Sequence, residues 1–289
     1  MTLTVFFVVL GAALLHAVWN ALVKGGHDML LGMTAVAIGQ GLFGLGALCL
    51  WPLPAAASLP YVAVSVALHV GYQVFLVLAY RIGDLTQVYP IARGSAPLIV
   101  AGVSAAFLGL DLAPVEWAGV VVIASGIISL SLVRRSDGLD GGKAGLLATI
   151  TGCFIAAYSL NDGVGARVAG TAVGFFGLSA AINAVLFPAL VAVWQGGSIR
   201  GLAGAGSAVL SGLLIAVLIG GGASFVAYAM VVWAFTQAPI ALVTALRETS
   251  IVFALLIGVV FLKERLDLAK LASTMLTIGG VALLRLAKG

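Results

Sequence analysis

Ten apolar runs, divided by short stretches of glycine, proline or charge, follow one another along the chain at 4–23, 30–51, 60–80, 85–108, 114–133, 144–161, 171–194, 207–235, 239–262 and 268–286. Most approach the ~20 residues that an α-helix needs to cross the hydrocarbon of a bilayer. Inside lipid every backbone donor and acceptor must find a partner within the protein, so this pattern calls for a bundle of helices. Composition agrees, since 62% of the 289 residues are hydrophobic, 8% are charged and the mean hydropathy is +1.22. That is too little polar material to cover a water-soluble globule. The expected fold is an all-α integral membrane protein of ten transmembrane helices, with no room for a soluble domain.

The start Met1-Thr-Leu-Thr-Val lacks the basic region of a secretory signal, so the first run is expected to remain as a span. The formal charge of +4 comes from residues scattered through loops, with no basic stripe interleaved with aromatics, which argues against a nucleic-acid partner. Cys49 and Cys153 lie in separate runs without metal-ligand spacing and read as small buried hydrophobes. No motif for a metal or another cofactor is present.

The most polar break, Arg134-Arg-Ser-Asp-Gly-Leu-Asp-Gly-Gly-Lys143, leaves five runs on either side. It divides the chain into a first unit at 1–133, a linker at 134–143 and a second unit at 144–289. Shifting the sequence by 154 positions lays 93–130 on 247–284 without a gap. Arg93 then meets Arg247, Ser95 meets Thr249, and Phe107-Leu108 meet Phe261-Leu262. Identities between apolar stretches arise by chance, but a charged residue recurring at one depth, with a hydroxyl two positions on, is harder to obtain that way. Two units with an odd number of spans enter the membrane from opposite sides, giving two inverted five-helix repeats with a binding site near the midplane.

Charge inside hydrocarbon costs roughly 2.5–3.5 kcal/mol on insertion scales, so Arg93 and Arg247 are expected to face a partner or a wet cavity. Their alternative role is structural: binding helix carbonyls or snorkelling toward headgroups. His16, Trp19 and Asn20 share one helix face at i, i+3 and i+4, and the third run repeats the device with His69, Tyr72 and Gln73. With Tyr89 on the fourth run, Tyr158 and Asn161 on the sixth and Tyr228 on the eighth, these are the candidate substrate-binding residues. Glu248 is the one carboxylate well inside a run, with Asp162 next, at a run's edge. Glu248, His16 and His69 are the candidates for proton coupling, and Glu248 is equally a candidate for the fixed partner of an arginine. Adjacent residues leave a helix about 100° apart, so Arg247 and Glu248 cannot be assumed to pair with each other. Gly39, Gly41, Gly44, Gly46 and Gly220-Gly-Gly-Ala-Ser224 read as close helix packing, and the triple glycine could also let a long helix bend.

An arginine fork suits a carboxylate or phosphate, while Tyr, Trp, Asn and Gln shape a pocket for one solute. The chemistry fits an amino acid, a carboxylate metabolite or a phosphorylated small molecule. No nucleophile has a base beside it, so an enzyme is not expected; an intramembrane lipid-modifying enzyme stands as the reading from another class.

The stretches Arg93 to Leu110 and Leu246 to Leu284, the opening Ala13-Leu-Leu-His-Ala-Val-Trp-Asn20 and the close Phe261-Leu-Lys-Glu-Arg-Leu266 with Ile278-Gly-Gly-Val281 resemble the drug/metabolite transporter superfamily, in particular its EamA-type ten-helix members. The first half departs from that pattern at Leu110-Asp111, where a loop glutamate is common. The resemblance implies a secondary active transporter working by alternating access in the bacterial inner membrane, with a cavity bordered by both halves. Export of an amino acid or a related zwitterion or anion is the favoured reading. The opening His-Ala-Val-Trp-Asn is also similar to a branch associated with phosphonate use, which keeps a phosphorylated or phosphonate-type metabolite as the alternative cargo. Protons are the candidate coupling ion, and monomer and homodimer are both open. Positive-inside counting would put both termini outside, whereas the resemblance implies termini inside.

Overall fold

A computed structural model describes residues 1–24, 28–82, 85–109, 111–129, 141–195, 207–260, 272, 275–276 and 278–283. Among the described residues the regular elements are all helical. They are α1 (Leu3–Lys24), α2 (Met29–Leu50), a 3-10 turn (Ala56–Ser58), α3 (Leu59–Ile82), α4 (Leu85–Phe107), α5 (Pro114–Ser129), α6 (Gly141–Ala169), α7 (Ala172–Trp194), α8 (Ser207–Ile215), a π-helical turn (Ala216–Gly220), α9 (Gly221–Gln237), α10 (Ile240–Arg247) and α11 (Ser250–Val260). Residues 278–283 are helical as well.

Six stretches among the described residues are long and apolar enough to cross a membrane: Leu3–Asn20, Leu30–Leu50, Ala56–Ala79, Gly142–Ala169, Ala172–Trp194 and Ser211–Gln237. Ile91–Phe107 and Pro114–Gly126 are shorter apolar helices. Large apolar side chains such as Phe7, Leu42, Leu50, Val185 and Val193 stand exposed on the bundle, as a lipid-facing surface requires. The protein is a multi-pass membrane protein.

Polar residues at the breaks start the helices. The Asp28 carboxylate caps α2 by accepting from the Leu30 and Leu31 amides at 2.8 and 3.2 Å, and Thr171 Oγ1 caps α7 by accepting from the Gly174 amide at 3.1 Å. At the start of α5 the Glu116 carboxylate accepts from the Ala113 amide at 3.0 Å. In the interior, α2 packs along α7, α3 along α6, and α1 along α9 and α11; α4 lies against α6 and meets α10.

Four sequence expectations change. The run at 144–161 does not stop at Asn161-Asp162: α6 runs from Gly141, inside the segment read as linker, through Asp162 to Ala169. Its late polar residues find partners on neighbouring helices, including Arg167, which donates to the Phe235 and Ala238 carbonyls at the end of α9. The run at 207–235 is interrupted by the π-helical turn directly before Gly221. There a Cβ on Gly39 would meet the Val217 carbonyl oxygen, and one on Gly221 would come within 2.5 Å of the Gly39 Cα. These glycines therefore let α2 and α9 touch backbone to backbone, which is the packing role. The run at 239–262 is divided between α10 and α11. Finally, Cys49 and Cys153 are exposed rather than buried, because a thiol is apolar enough to face lipid.

The linker residues 134–140, the segment Lys263-Glu-Arg-Leu-Asp267 and Leu110 lie outside the described residues.

Candidate functional site

Arg93 in α4 and Arg247 at the end of α10 are both buried, and the fully buried Glu248 lies between them. Its Oε1 is 3.4 Å from Arg93 Nη1 and 3.4 Å from Arg247 Nη2, so one carboxylate oxygen bridges guanidiniums from the two halves of the chain. The adjacent Arg247 and Glu248 do pair, which the helical-angle argument alone did not assure. That argument treats directions at the backbone, whereas the long arginine side chain reaches around to its neighbour. The backbone here is also no longer α-helical: Glu248, at φ −70° and ψ −7°, ends α10, and the Glu248, Thr249 and Ile251 amides donate to carbonyls three residues back.

Both contacts are longer than the ~2.7–2.9 Å of a tight charge-assisted hydrogen bond. Two guanidiniums and one carboxylate carry a net charge of +1. Arg247 Nε, a donor, and Glu248 Oε2, an acceptor, have no hydrogen-bond partner among the described residues. Leaving a buried polar atom unpaired costs about 1–3 kcal/mol, so a polar group in contact with both atoms would be stabilised there.

On α1, Trp19 Nε1 donates to His16 Nδ1 at 3.0 Å, as the shared helix face implies. The neutral His16 ring then carries its proton on Nε2, and that buried N–H has no partner among the described residues. His16 lies within electrostatic reach of Arg93 and Arg247. Asn20 turns back on its own helix, its Nδ2 donating to the His16 carbonyl at 2.7 Å.

An aromatic group adjoins this cluster. The Arg247 Cζ lies 6.0 Å from the centre of the Tyr158 ring. His69 stacks on Tyr158 with centroids 4.3 Å apart, Tyr72 meets Tyr158 edge to face at 5.7 Å, and Tyr228 meets Tyr158 edge to face at 5.7 Å. Tyr228 Oη donates to Asp162 Oδ2 at 2.8 Å, and His69 Nε2 lies 3.9 Å from the same oxygen. Asn161 Nδ2 donates to the Tyr61 carbonyl at 2.9 Å and to Asp162 Oδ1 at 3.1 Å, so its amide supports this group and is not turned to the arginines. Gln73 is buried with Oε1 unpartnered among the described residues. The backbone of Tyr89 lies in α4, and its side chain lies outside the described residues.

Of the candidate residues, His16, Trp19, Arg93, Arg247 and Glu248 gather around one charged cluster, and His69, Tyr72, Tyr158 and Tyr228 form the aromatic group against it. Sequence reasoning noted Asp162 only as a carboxylate at a run's edge and gave it no place among the candidate residues. The signal was available, since Tyr158 and Asp162 are spaced i, i+4 and continue the polar face of α6, but the glycines after Asp162 read as a loop.

This charged, buried cluster lies within an all-helical, multi-pass bundle. Residues 143–286 match the EamA-like transporter family. The chain belongs to that family, and is a membrane transporter of the drug/metabolite kind. Among 29 matching solved chains, one described only as the crystal structure of a protein shares the fold. It matches with a TM-score of 0.75 at 20% identity, covering 99% of this chain and 98% of the other. No curated protein matches the chain.

Proposed function

We propose that the protein is a secondary active transporter that moves an amino acid or related small zwitterion across the membrane by alternating access, outward from the cell. The bound carboxylate contacts Arg93, Arg247 Nε and His16 Nε2–H, and the ammonium contacts Glu248 Oε2. The observation that carries this reading is the single carboxylate shared at 3.4 Å by two buried guanidiniums, with one donor and one acceptor of the trio unused. Unused groups of both signs suit a ligand carrying both charges. A phosphonate-type dianion fits less well, because Glu248 would repel it.

The scaffold in this reading consists of two inverted five-helix units, 1–133 and 144–289. The pairing of helices supports it. Exchanging α1 with α6, α2 with α7, α3 with α9 and α4 with α10–α11 turns the α3–α6 contact into α9–α1, and α4–α6 into α11–α1, while α2–α7 maps onto itself. Such a relation lets one set of contacts open as its counterpart closes. Trp19, Tyr72, Gln73 and Tyr158 shape the cavity wall, and the bacterial inner membrane is the setting.

Purified protein in liposomes preloaded with one unlabelled amino acid at a time should accumulate the same labelled amino acid by counterflow. Arg247→Ala should abolish that exchange while the protein remains monodisperse. Equal accumulation in protein-free liposomes, or full exchange by Arg247→Ala, contradicts the proposal.

A further inference from the structure

The group around Asp162 is separate from the arginine–glutamate cluster and has a different chemistry. Asp162 is fully buried in α6. Its Oδ1 accepts from Asn161 and its Oδ2 from Tyr228, so the carboxylate is held in one orientation. His69, from α3, also faces it and is partly accessible, with its side chain 17% exposed. His69 Nδ1 lies 2.9 Å from the Ser65 carbonyl oxygen, which only accepts, and 3.4 Å from Ser65 Oγ. The shorter contact assigns the ring proton to Nδ1. The neutral ring therefore turns the lone pair of Nε2 toward a carboxylate oxygen 3.9 Å away, too far for a hydrogen bond and repulsive in sign. A proton on Nε2 converts that repulsion into a charge-assisted donor aimed at Oδ2. The parallel face of Tyr158 favours the resulting cation.

We propose that His69 and Asp162 form a one-proton site, shielded by Tyr158 and Tyr228, whose charge is felt at the arginine–glutamate cluster through their shared neighbour Tyr158. Around His69, α6 contributes Asp162 and Tyr158, α9 contributes Tyr228, and α7 contributes the non-titrating Phe176. Next to Tyr158 lies Arg247, with Glu248 and Arg93 beyond it; α2 carries no charged side chain. On protonation the His69–Asp162 gap closes, drawing α3 toward α6. The proton site stands without the carrier reading. The coupling part deepens that reading and rests on it.

The test needs no ligand, so its outcome is independent of the counterflow assay. The chain has three histidines, and in full-length protein labelled with 15N-histidine in nanodiscs the signal lost in His69→Gln identifies His69. Lowering the pH from alkaline conditions should show an Nδ1–H ring gaining a proton on Nε2. In Asp162→Asn the protonated ring loses its charged acceptor, so the His69 Nε2 signal at low pH should move from its wild-type position. Tyr228→Phe keeps the carboxylate and removes its donor, so the Nε2 signal should move in that variant too, which tests the site should Asp162→Asn not fold. Arg247→Met should also displace the His69 signal. An Nε2–H ring at alkaline pH, or a His69 unmoved by Asp162→Asn and Tyr228→Phe, overturns the proton site. A His69 unmoved by Arg247→Met overturns the coupling.

Discussion

Arg93 and Arg247 occupy matching places in the sequence, yet the chain passes them differently. Helix α4 continues unbroken through Arg93 from Leu85 to Phe107, whereas α10 stops at Arg247 and α11 resumes at Ser250. The hydroxyl two positions on serves the backbone in both: Ser95 Oγ donates to the Ile91 carbonyl and Thr249 Oγ1 to the Leu246 carbonyl, each at 2.8 Å. What differs is the residue between, the buried Gly94 in one and the buried Glu248 in the other. Both regions supply a donor, and only the second supplies the acceptor. A site assembled from similar parts is thereby polarised, with a carboxylate held on one side and none on the other, and this suits a ligand with two unlike ends.

The comparison breaks most visibly at Glu248. Glu248→Ala removes the carboxylate that the two buried guanidiniums share, and removing one member of a buried pair costs about 3–5 kcal/mol. The expected outcome is a large fall in thermal midpoint in detergent; an unchanged midpoint means the arginines are compensated elsewhere.

Next in size are Arg93→Met and Arg247→Met. Each removes a charged donor worth about 1.5–3 kcal/mol, or roughly 10- to 150-fold in ligand affinity, measured by titration of whichever amino acid exchanges best in liposomes. Similar losses in the two variants sharpen the matched-donor view. A loss confined to one places the ligand on one half only.

Gly39→Leu tests the scaffold beside the site. The added side chain would collide with the backbone at the π-helical turn, and overpacking of this sort costs about 1–3 kcal/mol. Lower stability of the folded protein is expected, whereas an unaffected protein shows that α2 and α9 can separate freely.

The smallest effects are expected for Ser95→Ala and Thr249→Ala, which remove hydroxyls bonded to their own helix turn. They should change stability by at most about 1 kcal/mol and leave ligand affinity unaltered. A tenfold loss of affinity in either variant would give the hydroxyl a ligand contact in place of its backbone one.

Arg93, Arg247 and Glu248 were legible in the sequence because a charge within an apolar run stands out and because the first arginine recurs in the second half. The shared face of His16 and Trp19 was legible from helical spacing, and the structure adds the hydrogen bond between them. Asp162 was not, because Asn161-Asp162-Gly163 has the composition of a turn and its helical state depends on partners distant in sequence, Tyr61 and Tyr228. The break between α10 and α11 was hidden for the opposite reason: its sequence is apolar and helix-compatible on either side. No local signal marks where tertiary contacts interrupt it.

The central claim is that one buried carboxylate between two guanidiniums reads both ends of a zwitterion. The most direct measurement compares thermal stabilisation of the wild-type protein by the best-binding amino acid, its methyl ester and its deaminated acid. Stabilisation by the amino acid that is lost with both analogues is the predicted result, because each analogue leaves either the arginines or Glu248 unmatched. Equal stabilisation by the deaminated acid would contradict the role given to Glu248, and stabilisation by none of the amino acids would contradict the site.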